Sequence, residues 1–184
     1  MQVTNWMSWE GGVDMAATTV SGGAQPNVIV HIGRIVHTPL GSAASGMVFY
    51  QPDPSAAPLF MGFVSTDPQI GAYFGPNIFA GTPFESAPTL EAQIEVFTAL
   101  PDSVGVRVKI EGFEIETTLS QLSALELVER PFGAPLPFVQ QGVEAAASQM
   151  TLTINGENIT IYPVPVGLSG GPSASWSPTG VYSR

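Results

Sequence analysis

Two stretches in the second half of this 184-residue chain constrain its fold most, because each alternates apolar and polar side chains and then reverses phase across two residues. Across Val104–Leu119, Val104, Val106, Val108 and Ile110 alternate with polar positions until the phase flips at Glu111-Gly112, the mark of a tight turn. A two-residue loop sets Ile110 against Phe113, Lys109 against Glu114, Val108 against Ile115 and Arg107 against Glu116. One face is then apolar and the other carries two cross-strand ion pairs. A three-residue loop would set Lys109 against Phe113 and scramble both faces, so the two-residue register is expected. The second stretch, Met150–Pro163, turns at Asn155-Gly156, the preferred hairpin dipeptide. Met150, Leu152, Ile154, Ile159 and Ile161 fall on one face, and Thr151, Thr153, Asn158 and Thr160 on the other. Asn158-Ile159-Thr160 has the form of a glycosylation sequon, which has meaning only in a secreted eukaryotic protein.

Composition extends this β reading to the whole chain. It is 44% hydrophobic and only 11% charged, with 20 glycines and 17 prolines, which favours many short strands joined by turns over a helical bundle or a disordered tail. Strands are expected at Val28–Thr38, Gly46–Gln51, Pro58–Ser65, Gln69–Phe74, Asn77–Ala80 and Ala92–Leu100, separated by proline-containing turns. Two short helices are expected, Ser120–Val128 from the spacing of Leu122, Leu125 and Val128, and Pro137–Gln149 from its leading proline and its run of alanines. The fold class is mainly β, an antiparallel barrel or sandwich with one or two short helices. Residues 26–166 read as one β-rich domain, residues 1–25 as a flexible arm and residues 167–184 as a tail rich in glycine and serine. Trp6 and Trp9 on the arm and Trp176 and Tyr182 on the tail are costly to leave in water, and are the candidate interaction residues.

Fifteen acids against five bases, Arg34, Arg107, Lys109, Arg130 and Arg184, give a net charge of −10. This disfavours nucleic acid and anionic membrane surfaces as partners, since both need clustered cations. Cysteine is absent, which removes disulfides, thiol nucleophiles and cysteine-ligated metals. No segment has the length of a membrane span or the form of a signal peptide. A cytoplasmic protein, or one carried in a larger particle, is the expectation.

No catalytic constellation emerges. Gly167-Leu168-Ser169-Gly170-Gly171 has the G-x-S-x-G form, but that pattern needs a strand before the serine, a helix after it and a histidine downstream. Both histidines lie upstream, and prolines follow. His31 and His37, six residues apart on one expected strand, would share a face about 20 Å apart, too far for one metal. No metal site, cofactor site or catalytic residue is therefore assigned. His31, His37, Phe49, Phe63, Tyr73 and Phe79 are the candidate lining of an apolar pocket. Three functional classes follow: a non-catalytic module for self-assembly or attachment to a larger complex, which is preferred; a barrel that binds a small hydrophobic ligand; and an isomerase- or cyclase-type enzyme using His31 or His37.

Overall fold

The computed structural model describes residues 5–133 and 136–184. Among the described residues thirteen strands join in one sheet, curled into a half-barrel. In chain order they are β1 (Trp6–Thr18), β2 (Val28–Thr38), β3 (Gly41–Tyr50), β4 (Phe60–Ser65), β5 (Thr89–Glu91), β6 (Gln93–Ala99), β7 (Ser103–Ile110), β8 (Phe113–Leu122), β9 (Glu126–Arg130), β10 (Val139–Ile154), β11 (Glu157–Asn158), β12 (Tyr162–Pro163) and β13 (Ala174–Ser183). The main path runs β5-β4-β3-β2-β1-β13-β10-β8-β7-β6. All its pairs are antiparallel except β4 with β5. The two end strands of this path, β5 and β6, are consecutive in the chain, with only Ala92 between them. Its N–H donates to Ser65 O at 2.9 Å. One stretch of chain thus lies along both edges of the sheet.

The β7–β8 hairpin has the expected register, pairing Ile110 with Phe113, Lys109 with Glu114 and Arg107 with Glu116. Both ion pairs form, Lys109 Nζ to Glu114 Oε2 at 2.9 Å and Arg107 Nε to Glu116 Oε2 at 2.6 Å. Glu95 of β6 adds a third contact, at 3.3 Å from Arg107 Nη1. In the second hairpin, Asn155 and Gly156 both have positive φ, 50° and 81°, as a mirror-image type I turn requires. Its return strand is short: only Glu157 and Asn158 pair with β10, and Tyr162–Pro163 then pair with β1.

Several expectations are corrected. The segment read as an arm is β1, and most of the supposed tail is β13; the two pair with each other in the middle of the sheet. Met1–Thr4 of that arm lie outside the described residues. The helix expected at Ser120–Val128 is the end of β8 and the start of β9, two pieces of one interrupted strand along the same edge of β10. Its leucines form no buried stripe, for Leu125 and Leu127 are exposed. The helix expected at Pro137–Gln149 is the first part of β10. There β9 and β13 bond both edges of the strand, and Ala145 lies opposite Trp176, where a small side chain is needed; this context overrides the helical preference of alanine. Conversely, the strand expected at Gln69–Phe74 is replaced by α1 (Pro68–Gly71), capped by Asp67, whose Oδ1 accepts from the Gln69 N–H at 2.9 Å with Pro68 at the helix start. The strand expected at Asn77–Ala80 is overtaken by a π-type turn at Phe74–Ile78, where Pro76 offers no ladder donor.

The sheet carries a core on each face. Inside the curl, Val13, Met15 and Ala17 of β1 join Val104, Val106 and Val108 of β7, with Ile115, Leu119, Leu152 and Trp176. On the outer face, Ile29, Met47 and Phe63 are covered by Phe74, Ile78, Phe79, Leu136, Phe138 and Val164 from the connecting chain. A line of irregularities crosses the central strands and exchanges the two faces. Gly11 takes φ +68°, β2 bulges between Gly33 and Val36, and β13 has one extra residue opposite Val143–Ala145. Below this line Val13, Ile32 and Trp176 face inward; above it Trp9, Val36 and Tyr182 face the outer core.

Candidate functional site

Two concavities on the outer face are candidate sites. The smaller is a chamber of about 30 Å³ at the level where the strands exchange faces, with a mixed lining: Asp14, His31, Gln140, Glu144, Ser169 and Ser175 supply polar groups, and Met7, Trp9, Val13, Ile32, Val36 and Phe74 supply hydrocarbon. Strand alternation brings four of these here, since Asp14, His31, Glu144 and Ser175 are the neighbours of inward-facing Val13, Ile32, Ala145 and Ala174. Each is a polar residue on the face that its apolar neighbours leave free.

The chamber holds more charge than its size suggests. Asp14 Oδ1 lies 3.2 Å from His31 Nδ1, and Asp14 Oδ2 accepts from Ser169 Oγ at 3.4 Å. Glu144 pairs with Arg130 and accepts from Ser175 Oγ at 2.6 Å. Tyr182 closes one side, its ring packed at a tilt between those of Trp9 at 4.5 Å and Phe138 at 4.1 Å. Burial pushes its phenol well above the usual tyrosine range, and the carboxylates of Asp14 and Glu144 push it further. Among the described residues four buried polar side-chain atoms have no aligned hydrogen-bond partner: Asp14 Oδ1, His31 Nδ1, Arg130 Nη1 and Gln140 Oε1. The Asp14–His31 contact is thus close without being aligned as a hydrogen bond.

The second concavity is an apolar cleft of about 830 Å³. Its floor is Ile29, Phe49 and Met61 from three adjacent strands, and its walls come from Pro26, Pro83–Phe84, Leu136 and Pro165–Leu168. Among the described residues no charged side chain lines it, and Gln25 and Thr82 are its polar side chains. Thr82 is already engaged, donating to Phe79 O at 2.7 Å and accepting from the Phe84 N–H at 3.2 Å. Three of the lining residues are prolines, which lack an N–H, so the walls are poor in donors.

Of the candidate pocket residues, Phe49 alone lines the cleft, with its ring 5.8 Å from that of Phe84. Phe63 and Phe79 are fully buried 5.2 Å apart in the outer core. The Tyr73 hydroxyl accepts from the Trp6 N–H at 3.1 Å. His31 borders the chamber, whereas His37 binds Ser42 and Glu10 at 2.6 and 3.1 Å. The bulge in β2 puts the two imidazoles on opposite faces, which corrects the shared face expected for an unbroken strand. Of the candidate interaction residues, Trp9, Trp176 and Tyr182 are buried in the chain's own cores, and Trp6 is exposed at the start of β1. Trp9 lies so close over Gly180 that a Cβ there would stand 2.2 Å from its ring, and its indole N–H donates to Ser177 Oγ at 2.9 Å. Ser169 is buried in a turn with a carboxylate, not an imidazole, as its partner, so it lacks the histidine that the G-x-S-x-G pattern requires.

Sequence reasoning missed Asp14, Arg130, Gln140 and Glu144. A signal was present: Asp14 and Glu144 are single acids inside runs of apolar and small residues. Among the described residues no group of three or more histidine, cysteine or acidic side chains converges to hold a metal, and no helix is long and apolar enough to cross a membrane. No protein-family model matches this chain, and no curated protein matches it.

Proposed function

We propose that this protein is a binding module for a small, largely apolar molecule held in the outer-face cleft. The observation that carries this reading is the cleft itself. Its volume of about 830 Å³ falls within the range of about 300–1,000 Å³ usual for small-molecule sites, and its lining is hydrocarbon with a single uncommitted polar side chain, Gln25. Ion pairing supports an uncharged ligand. Arg34, Arg107, Lys109 and Arg130 are each paired with an acid, and none of them lines the cleft.

A titration with a neutral fluorescent hydrophobe tests it, with Phe49→Ala as the site variant. Saturable binding that weakens at least tenfold in Phe49→Ala is the expected result. Absence of binding across neutral, anionic and cationic probes would refute the reading.

Self-assembly is the second reading, and one observation favours it. Among the described residues strand β9 pairs with β10 on one edge only, and it presents Leu127 at 89% exposure beside exposed Leu125 and Phe132. An unpaired edge with apolar side chains is a template for a second strand. Light scattering over a concentration series, with Leu127→Lys as the control, tests it: a dimer or larger species that the lysine dissociates would favour assembly, and a monomer at every concentration would remove it. The aromatic arm and tail no longer argue for assembly, since their rings are mostly spent within the chain.

A further inference from the structure

We propose that the polar corner of the small chamber is an internal hydration site, holding one or two water molecules between Asp14, His31 and Gln140. The argument begins with Gln140, which is only 3% exposed, borders the chamber and has a side-chain oxygen without a partner. Buried polar atoms are almost always hydrogen bonded, and here Asp14 Oδ1 and His31 Nδ1, of residues that also border the chamber, share the deficit.

Charge and size select the guest. An anion would meet the carboxylates of Asp14 and Glu144. A cation would satisfy Asp14 and Gln140 but would lie close to the Arg130 guanidinium that holds Glu144. A neutral guest that both donates and accepts can serve the carboxylate, the amide and either tautomer of the imidazole. The chamber's 30 Å³ exceeds the roughly 10–15 Å³ that one water requires, and the site has the two to four polar partners a buried water needs. Water gives Asp14 and His31, adjacent but misaligned, a common partner. The result is a hydrated carboxylate–imidazole centre directly behind the cleft, for Ser169 borders the chamber and its neighbour Leu168 borders the cleft.

The test uses the whole chain, isotope-labelled, and water-selective NMR. Cross-peaks between water and both the Gln140 side-chain amide and the Trp9 indole N–H, with the sign of a water that tumbles with the protein, are expected. In Gln140→Leu the indole cross-peak should vanish while the rest of the amide spectrum is retained; in Gln140→Glu, which keeps an acceptor of the same length, it should remain. Persistence in Gln140→Leu would mean relay from the serine hydroxyls and would overturn the proposal. So would signals that shift when sodium is exchanged for potassium or ammonium, the mark of a cation site. The wild-type arm is decisive even if the leucine variant fails to fold, because no water signal at either group refutes hydration.

Discussion

Inside the curl, every core residue of β7 and β8 is reached by alternation: Val104, Val106, Val108, then Ile115 and Leu119. On the outer face only the floor is built this way. Ile29, Met47 and Phe63 are strand residues, but Phe74, Ile78, Leu136 and Val164 come from chain outside the ladders. The inner core buries apolar side chains against apolar side chains, with Thr117 as a polar exception that donates to Thr151 O at 2.8 Å. The outer core accommodates a charged chamber and an open cleft. Paired strands force neighbours to fit everywhere along the ladder, whereas a cover of turns leaves room at its joints. The candidate sites occupy those joints.

The comparison can be broken most forcefully at the chamber. Glu144→Leu should cost about 3–5 kcal/mol in urea denaturation, because it strands the buried Arg130 charge, and the double variant with Arg130→Met should recover a large part of that loss. Equal instability of the two would mean that packing, not charge, dominates there.

Truncation of each core comes next. Phe63→Ala outside should cost about 3–5 kcal/mol and Leu119→Ala inside about 2–5 kcal/mol. The consequences should differ, with Phe63→Ala weakening probe binding through Phe79, which packs on the cleft residue Phe84, and Leu119→Ala leaving the affinity of the folded protein unchanged. Loss of affinity in both would erase the distinction between the cores.

A smaller effect concerns pH. Because the folded-state pKa of Tyr182 lies well above 10.0, its phenol is neutral in both states below that pH and contributes no pH dependence. Above it the unfolded chain ionises first, so stability should fall by about 1.4 kcal/mol per pH unit from this residue. Tyr182→Phe should flatten the alkaline limb by that slope relative to wild type; an unchanged slope would place the hydroxyl in contact with solvent. The smallest effect is expected on the hairpin surface, where Lys109→Ala should cost no more than about 0.5 kcal/mol. Lys109 is half exposed, and its pair with Glu114 fixes register more than it adds stability.

Legibility from sequence follows the same division. The β7–β8 register could be read residue by residue, since alternation and a two-residue turn leave one arrangement in which both faces make sense. β1 and β13 could not. Gly11, Gly12 and Gly180 give them the look of linkers, yet these glycines are where the sheet exchanges faces and where Trp9 lies across the backbone. Alanine propensity misdirected β10 for a related reason, since neighbours far along the chain decide its hydrogen bonding. The cleft was the least legible feature. Phe49 was anticipated, but Ile29, Met61, Phe84, Leu136 and Leu168 are spread over 140 residues with no local pattern to join them.

The most direct test of the account is chemical-shift mapping of the labelled chain during titration with a neutral hydrophobic ligand. The account predicts saturable perturbations concentrated at Gln25, Phe49, Met61, Phe84 and Leu168, with the β7–β8 hairpin unmoved. Perturbations centred on the hairpin or on the open edge of β9, or none in the cleft, would contradict it.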